Sequence, residues 1–195
     1  LHVNDVPWAA RQMWAPDAAT KNGKYFLYFP AKNADGIFQI GVAVSASPVG
    51  PFIPEPEPIN GTYSIDPAVF VDDDGTAYMY FGGIWGGQLQ SYRHNTYNVN
   101  NKEPLPNEPA LGPRMAKLSD NMLQLDEEVR ELVITDENGN PLPFHKSDKD
   151  TWVIESKCNI IKVSYLYFAA QPDAGAADLR PRYRQGGRFP RCRRG

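Results

Sequence analysis

Two cysteines and three histidines are the whole supply of soft metal ligands in this chain of 195 residues. Cys158 and Cys192 make at most one disulfide, which is no framework, and with no CxxC pair the composition argues against a zinc site. Long apolar runs are also missing: nothing approaches the roughly 18 residues a membrane-spanning helix needs. The opening LHVNDVPWAARQMW lacks the basic-then-apolar layout of a secretory leader. The compartment is therefore left unassigned, and the start reads as a cut into a longer protein. Room for long helices is short as well, because 18 prolines and 16 glycines punctuate the chain.

What is abundant is aromatic residues in short runs. Tyrosine and phenylalanine number 10 and 9, grouped as strands group them. Charge is unevenly placed. Residues 174–195 hold seven arginines against one aspartate, or +6, so a net charge of −3 leaves −9 for residues 1–173. That tail, here divided from a propeller domain at residues 171–195, reads as disordered or as a stretch translated out of frame. An RNA-binding arm is discounted, since only Tyr183 and Phe189 are present to stack on bases. No nucleic acid or membrane partner is expected.

Residues 14–31, WAPDAATKNGKYFLYFPA, and 64–83, SIDPAVFVDDDGTAYMYFGG, share one plan: an aspartate, a strand, a turn and an aromatic strand. The turns are Asn22-Gly23 and Asp74-Gly75, both hairpin signals, and the two leading aspartates, Asp17 and Asp66, stand 49 residues apart. A poorer third copy is ESKCNIIKVSYLYFAA, at 155–170. A small antiparallel sheet repeated at about 50 residues predicts the blades of an all-β propeller, here an arc of about three blades over residues 1–170. GIFQIGVAVS (36–45) reads as an alternating strand. Residues 98–150 read as an insertion between blades, in which MAKLSDNMLQLDEEVRELVI (115–134) looks like strand and turn elements with a modest helical flavour around Asp126–Leu132.

The first strand of each propeller blade lines the central axis, so Asp17, Asp66 and Glu155, each heading such a strand, are expected to converge at one mouth. Converging carboxylates repel and drive their pKa values apart. Glycoside hydrolysis needs such unlike pairs: one acid protonates the leaving oxygen while a carboxylate activates water, roughly 6.5–9.5 Å away in inverting enzymes. For Asp17 an equal reading is a turn residue bonded to backbone N–H groups.

WAPD (14–17), GKYFLYFPAKN (23–33), IGVAVSASPVGPF (40–52), SIDPAVFVDDDGTAYMYFGG (64–83) and MAKLSDNMLQL (115–125) together resemble glycoside hydrolase family 43. The resemblance implies a five-bladed propeller that cleaves xylan-, arabinan- or arabinoxylan-derived sugars with inversion, closest to the β-xylosidase and α-L-arabinofuranosidase types. It places Asp66 as the carboxylate that tunes and orients the general acid, with Pro67 fixing the strand end. Glu155 is the nearest match to that acid, although Ser-Lys-Cys replaces the family's small-Pro/Ser-Trp run. Its alternative is an exposed strand glutamate paired with Lys157. The family's general base lies upstream of WAPD, where Asp5 and Asp17 are poor substitutes, so the chain reads as a fragment. Trp14 and Trp85 are the aromatics expected to stack on sugar, with Asp17 as a further substrate contact; Trp8 and Trp152 read as packing between blades. No cofactor is expected. His94 reads as a surface-loop residue, its alternative a place near the axis, where relatives hold a metal ion.

The leading reading is thus a glycosidase for pentose-containing oligosaccharides and polysaccharides. A non-catalytic carbohydrate-binding piece without the base is the alternative. A frame-shifted product without stable function is the third.

Overall fold

Asn22 and Gly23 both adopt left-handed backbone, with φ of 53° and 73°. That is the requirement of a two-residue type I′ hairpin, and it folds β1 (Asp17–Lys21) back on β2 (Lys24–Lys32). β3 (Phe38–Ser45) pairs with β2 along its whole length, and β4 (Ile53–Pro54) closes the sheet. The second sheet repeats the plan with β5 (Ala68–Val71), β6 (Ala77–Phe81), β7 (Arg114–Lys117) and β8 (Arg130–Glu131), in that order. Its first turn is made by Asp72 and Gly75, whose N–H donates to the Asp72 carbonyl at 2.9 Å, while Asp74 Oδ1 accepts from Thr76 N. This computed structural model describes residues 1–101, 111–133, 135, 138–141, 145–146 and 152–153, the last four forming the short strands β9 (His145–Lys146) and β10 (Trp152–Val153).

The two four-stranded meanders are blades, packed face to face with β1 beside β5. One apolar core joins them: Phe26, Tyr28, Ile40 and Val42 of the first meet Met79, Phe81, Leu118 and Met122 of the second, all buried. The Tyr28 hydroxyl crosses this core and donates to the Met122 carbonyl at 2.9 Å, so the buried phenol is satisfied. The far side of the first blade is covered by the chain's own start. There Val6, Phe29, Ala31 and Ala43 form a second cluster with Trp8, Ala9, Met13 and Phe52. Trp8 stacks on Phe29 of the first blade there, whereas packing between blades was expected of it.

Three further expectations need correction. β3 does not alternate: Ile40, Gly41, Val42 and Ala43 are buried in succession, because the strand is covered on both faces. Residues 98–150 are not only an insertion, since β7 and β8 complete the second blade. Around Asp126–Leu132 there is no helix; Glu127 Oε1 accepts from Lys117 N at 2.8 Å and Asp126 N donates to the Lys117 carbonyl, holding the segment extended. The aromatic hairpin at 155–170 and the Arg-rich tail lie outside the described residues.

β7 brings one feature that its sequence does not announce. Arg114 is fully buried, donating to the Gly112 carbonyl at 2.6 Å, the Tyr92 carbonyl at 3.2 Å and the Tyr63 hydroxyl at 2.9 Å. It also pairs with Glu131 at 3.3 Å. Tyr63 lies flat on Tyr92, 4.0 Å between centroids, and donates to Asn95 Oδ1 at 2.6 Å. The arginine thus ties the segment after β6 to β7 and to the linker before β5. Arg114→Met is expected to cost about 3 kcal/mol, the low end for breaking a buried pair because Glu131 can rehydrate. The urea midpoint measures it, and a change below about 0.5 kcal/mol would assign Arg114 no such role.

Candidate active site

Ser64 and Asp66 both take left-handed backbone, with φ of 65° and 57°. Two such non-glycine residues flanking Ile65 cost on the order of 1 kcal/mol each or more, and they persist only where the surroundings impose them. Here the surroundings are a glycine loop. Gly82 N donates to the Ile65 carbonyl at 2.8 Å, and the Ser64 hydroxyl both accepts from Gly83 N at 2.9 Å and donates to Gly83 O. A Cβ on Gly83 would come within 2.8 Å of the Ile65 side chain, and one on Gly87 within 2.5 Å. Only bare backbone fits around Ile65. The wedge presents Asp66 two residues ahead of β5, at the head of the second blade.

The Asp66 carboxylate is half-buried, and its Oδ2 is fully enclosed with no hydrogen-bond partner. It lies 3.5 Å from where a Gly83 Cβ would stand. Burial without compensation disfavours the ionised form, and this carboxyl is pushed up from 3.8 to about 6.

Asp17 is differently placed. It opens β1, and its Oδ2 accepts from Val69 N of β5 at 2.7 Å. The carboxylate joins the innermost strands of the two blades, the backbone-bonded reading that the sequence left open. Trp14 is 38% exposed and rests on the buried Phe38 ring at 4.8 Å. A Cβ on Gly86 would come within 3.8 Å of the indole. The glycine loop thus borders Asp66 at Gly83 and Trp14 at Gly86, bringing two of the expected residues to one site. Trp85 is in the same loop, in the 3-10 turn Trp85–Gly87, and its side chain lies outside the described atoms. Glu155 lies outside the described residues as well. His94 is exposed. Among the described residues no three His, Cys, Asp or Glu side chains gather as ligands for a metal ion.

Gln88 went unnoticed in the sequence. From left-handed backbone at φ 67° it accepts from Phe38 N at 3.0 Å and donates to the Gly36 carbonyl at 3.1 Å. It fastens the glycine loop to the β2–β3 turn and holds Phe38 under Trp14. A lone glutamine after GGIWGG was the available signal, and its side-chain direction was unreadable.

Repeated antiparallel sheets with innermost strands side by side and an aspartate at the head of each define a β-propeller. The family model described as Glycosyl hydrolases family 43 matches residues 2–177, and the chain belongs to that family. Over 156 residues it is 60% identical to the "Xylosidase/arabinosidase 43A" of Humicola insolens, covering 76% of this chain and 48% of that one. The GH43_1 enzyme from Xanthomonas citri, solved complexed with xylotriose, shares 66% identity at a TM-score of 0.72 over 73% of this chain and 43% of its own. A family 43 β-xylosidase/α-arabinofuranosidase from a compost metagenome, also with xylotriose, shares 54% at 0.69, covering 76% and 50%. The chain spans about half the length of the curated relatives it matches.

Two measurements follow from this geometry. An acid whose folded pKa is raised favours the native state at low pH and loses that advantage as pH climbs from 3.8 towards 6. Asp66→Asn is therefore expected to be more stable than the parent at pH 8, by about 1 kcal/mol after discounting for partial exposure, with the gap closing near pH 4. Urea midpoints across that range check it, and a gap independent of pH would contradict the assignment. Asp17→Ala should lose about 2 kcal/mol, the worth of a hydrogen bond to a charged group, and Asp17→Asn less because an acceptor oxygen remains. Equal losses in thermal melts would count against the tie.

Proposed function

We propose that the protein takes part in hydrolysing O-glycosidic bonds of plant cell-wall pentosans, with inversion, and that the described blades supply its acid-tuning and sugar-stacking parts. The observation that carries this reading is Asp66: an enclosed, unpartnered carboxylate oxygen held by a strained turn against one end of the glycine loop, whose other end meets the exposed Trp14 indole. So unfavourable a group points to chemistry or binding at the place that holds it. A carboxyl pushed up to about 6 is still mostly ionised at neutral pH, so its charge is available to act on a neighbour. In the proposed role Asp66 does not touch the leaving oxygen; it raises the affinity of a neighbouring general acid for its proton by like-charge proximity. Glu155 is that acid by family resemblance. Trp14 offers an apolar face to a pentose ring. The names of the relatives and the xylotriose complexes support xylose- and arabinose-containing oligosaccharides as substrates.

A second reading, a binder without turnover, is favoured by Asp17, whose Oδ2 is engaged by Val69 N in joining the blades. Release of nitrophenol from nitrophenyl β-xyloside or α-L-arabinofuranoside by the full chain separates the two. Turnover that falls about 10²- to 10⁴-fold in Glu155→Gln, with the acidic limb of the pH–rate profile moved in Asp66→Asn, supports the enzyme. Xylotriose affinity lowered by Trp14→Ala, with no nitrophenol released, supports the binder.

A further inference from the structure

Next to Trp14 runs a cationic row that neither acid–base chemistry nor ring stacking uses. Arg11 and Lys32 face each other across an antiparallel bridge, Lys32 N donating to the Arg11 carbonyl at 2.9 Å. Lys32 is in turn the register partner of Phe38. Directly opposed residues put their side chains on one face, so Arg11, Lys32 and Phe38 form a row. Lys32 Nζ sits over the Phe38 ring, 4.8 Å from its centroid, on a half-buried side chain. The Arg11 guanidinium lies against Gly36, 2.8 Å from where a Cβ would be. Gly36 and Phe38 are the two residues that Gln88 fastens to the glycine loop, and Phe38 is the ring under Trp14. The row therefore adjoins the sugar-stacking tryptophan.

Two like charges side by side are unfavourable unless something answers them. Neither cation has a carboxylate partner among the described residues, in contrast to Lys21, Lys117 and Arg130, which do. The nearest acid along the chain, Asp35, is exposed and pairs with neither. A neutral pentose presents only hydroxyls and has no need of such a flank. A guanidinium fork beside an ammonium suits a carboxylate.

We infer that Arg11 and Lys32 receive the carboxylate of a uronic acid side group on the pentosan bound beside Asp66, making acidic xylo-oligosaccharides the preferred ligands. The inference rests on the saccharide-binding reading above and adds a charge preference to it. Calorimetry with the full chain compares xylotriose with xylotriose bearing one glucuronosyl group. The acidic sugar should bind about fivefold more tightly at low salt, the scale of two exposed charge contacts. The advantage should vanish at about 1 M salt, where charges are screened within a few ångström. It should also vanish in the Arg11→Gln, Lys32→Met double variant, whose affinity for xylotriose stays at the parent value. Equal affinity for both sugars in the parent overturns the inference and leaves saccharide binding standing. An acidic preference that survives in the variant overturns the placement. No binding of either sugar sinks both.

Discussion

The innermost strands of the two blades are joined by a hydrogen bond from Val69 N to the Asp17 carboxylate, the constraint on which the placing of the site rests. An antiparallel sheet satisfies its own backbone only laterally, so the inner edge of a blade is left with unpaired groups. Here a side chain from the neighbouring inner edge fills one of them. The bond sets β1 against β5, and that registration lets the Phe26–Met79 core close and brings Trp14 and Asp66 to opposite ends of a single loop. A charged acceptor is well matched to this position, since it makes a stronger bond than an amide would and partial burial keeps water from competing for it.

Asp66 shows the opposite use of the same residue type. Both aspartates head a blade, yet Asp17 commits its charge to structure while Asp66 keeps an oxygen enclosed and unmatched. The difference lies in the backbone. Asp17 is extended in a strand, whereas Asp66 is turned into left-handed geometry by the Ser64 bonds and the Ile65 wedge. Strain and desolvation are collected at one residue, and the large shared core offsets them. The structure tolerates a locally unfavourable carboxylate because the surrounding glycine loop leaves it no relaxed alternative.

How much of this was legible in the residues varies with the range of the interaction. Asn22-Gly23 and Asp74-Gly75 announce their hairpins because turn geometry is a two-residue property. The aromatic strands and the repeat follow from pattern. Strand elements after residue 114 were legible, but their membership of the second blade was obscured, since Arg114 sits where a core residue belongs and the Pro-rich stretch ahead of it breaks the repeat. The helical reading of Asp126–Leu132 failed because side-chain bonds from Glu127 to a strand ten residues away outweigh weak helix propensity. Gln88, Ser64 and Lys32 act through partners 50, 19 and 6 residues distant, and no local rule reports such directions.

Gln88 carries a consequence of its own. The seam it closes between the glycine loop and the β2–β3 turn is held by a primary amide, a group with no proton to gain or lose near neutrality and no net charge for ions to shield. Protonation and ionic screening therefore do not act directly on this seam. Changes of pH are felt instead by ionisable groups such as Asp66 at the other end of the loop.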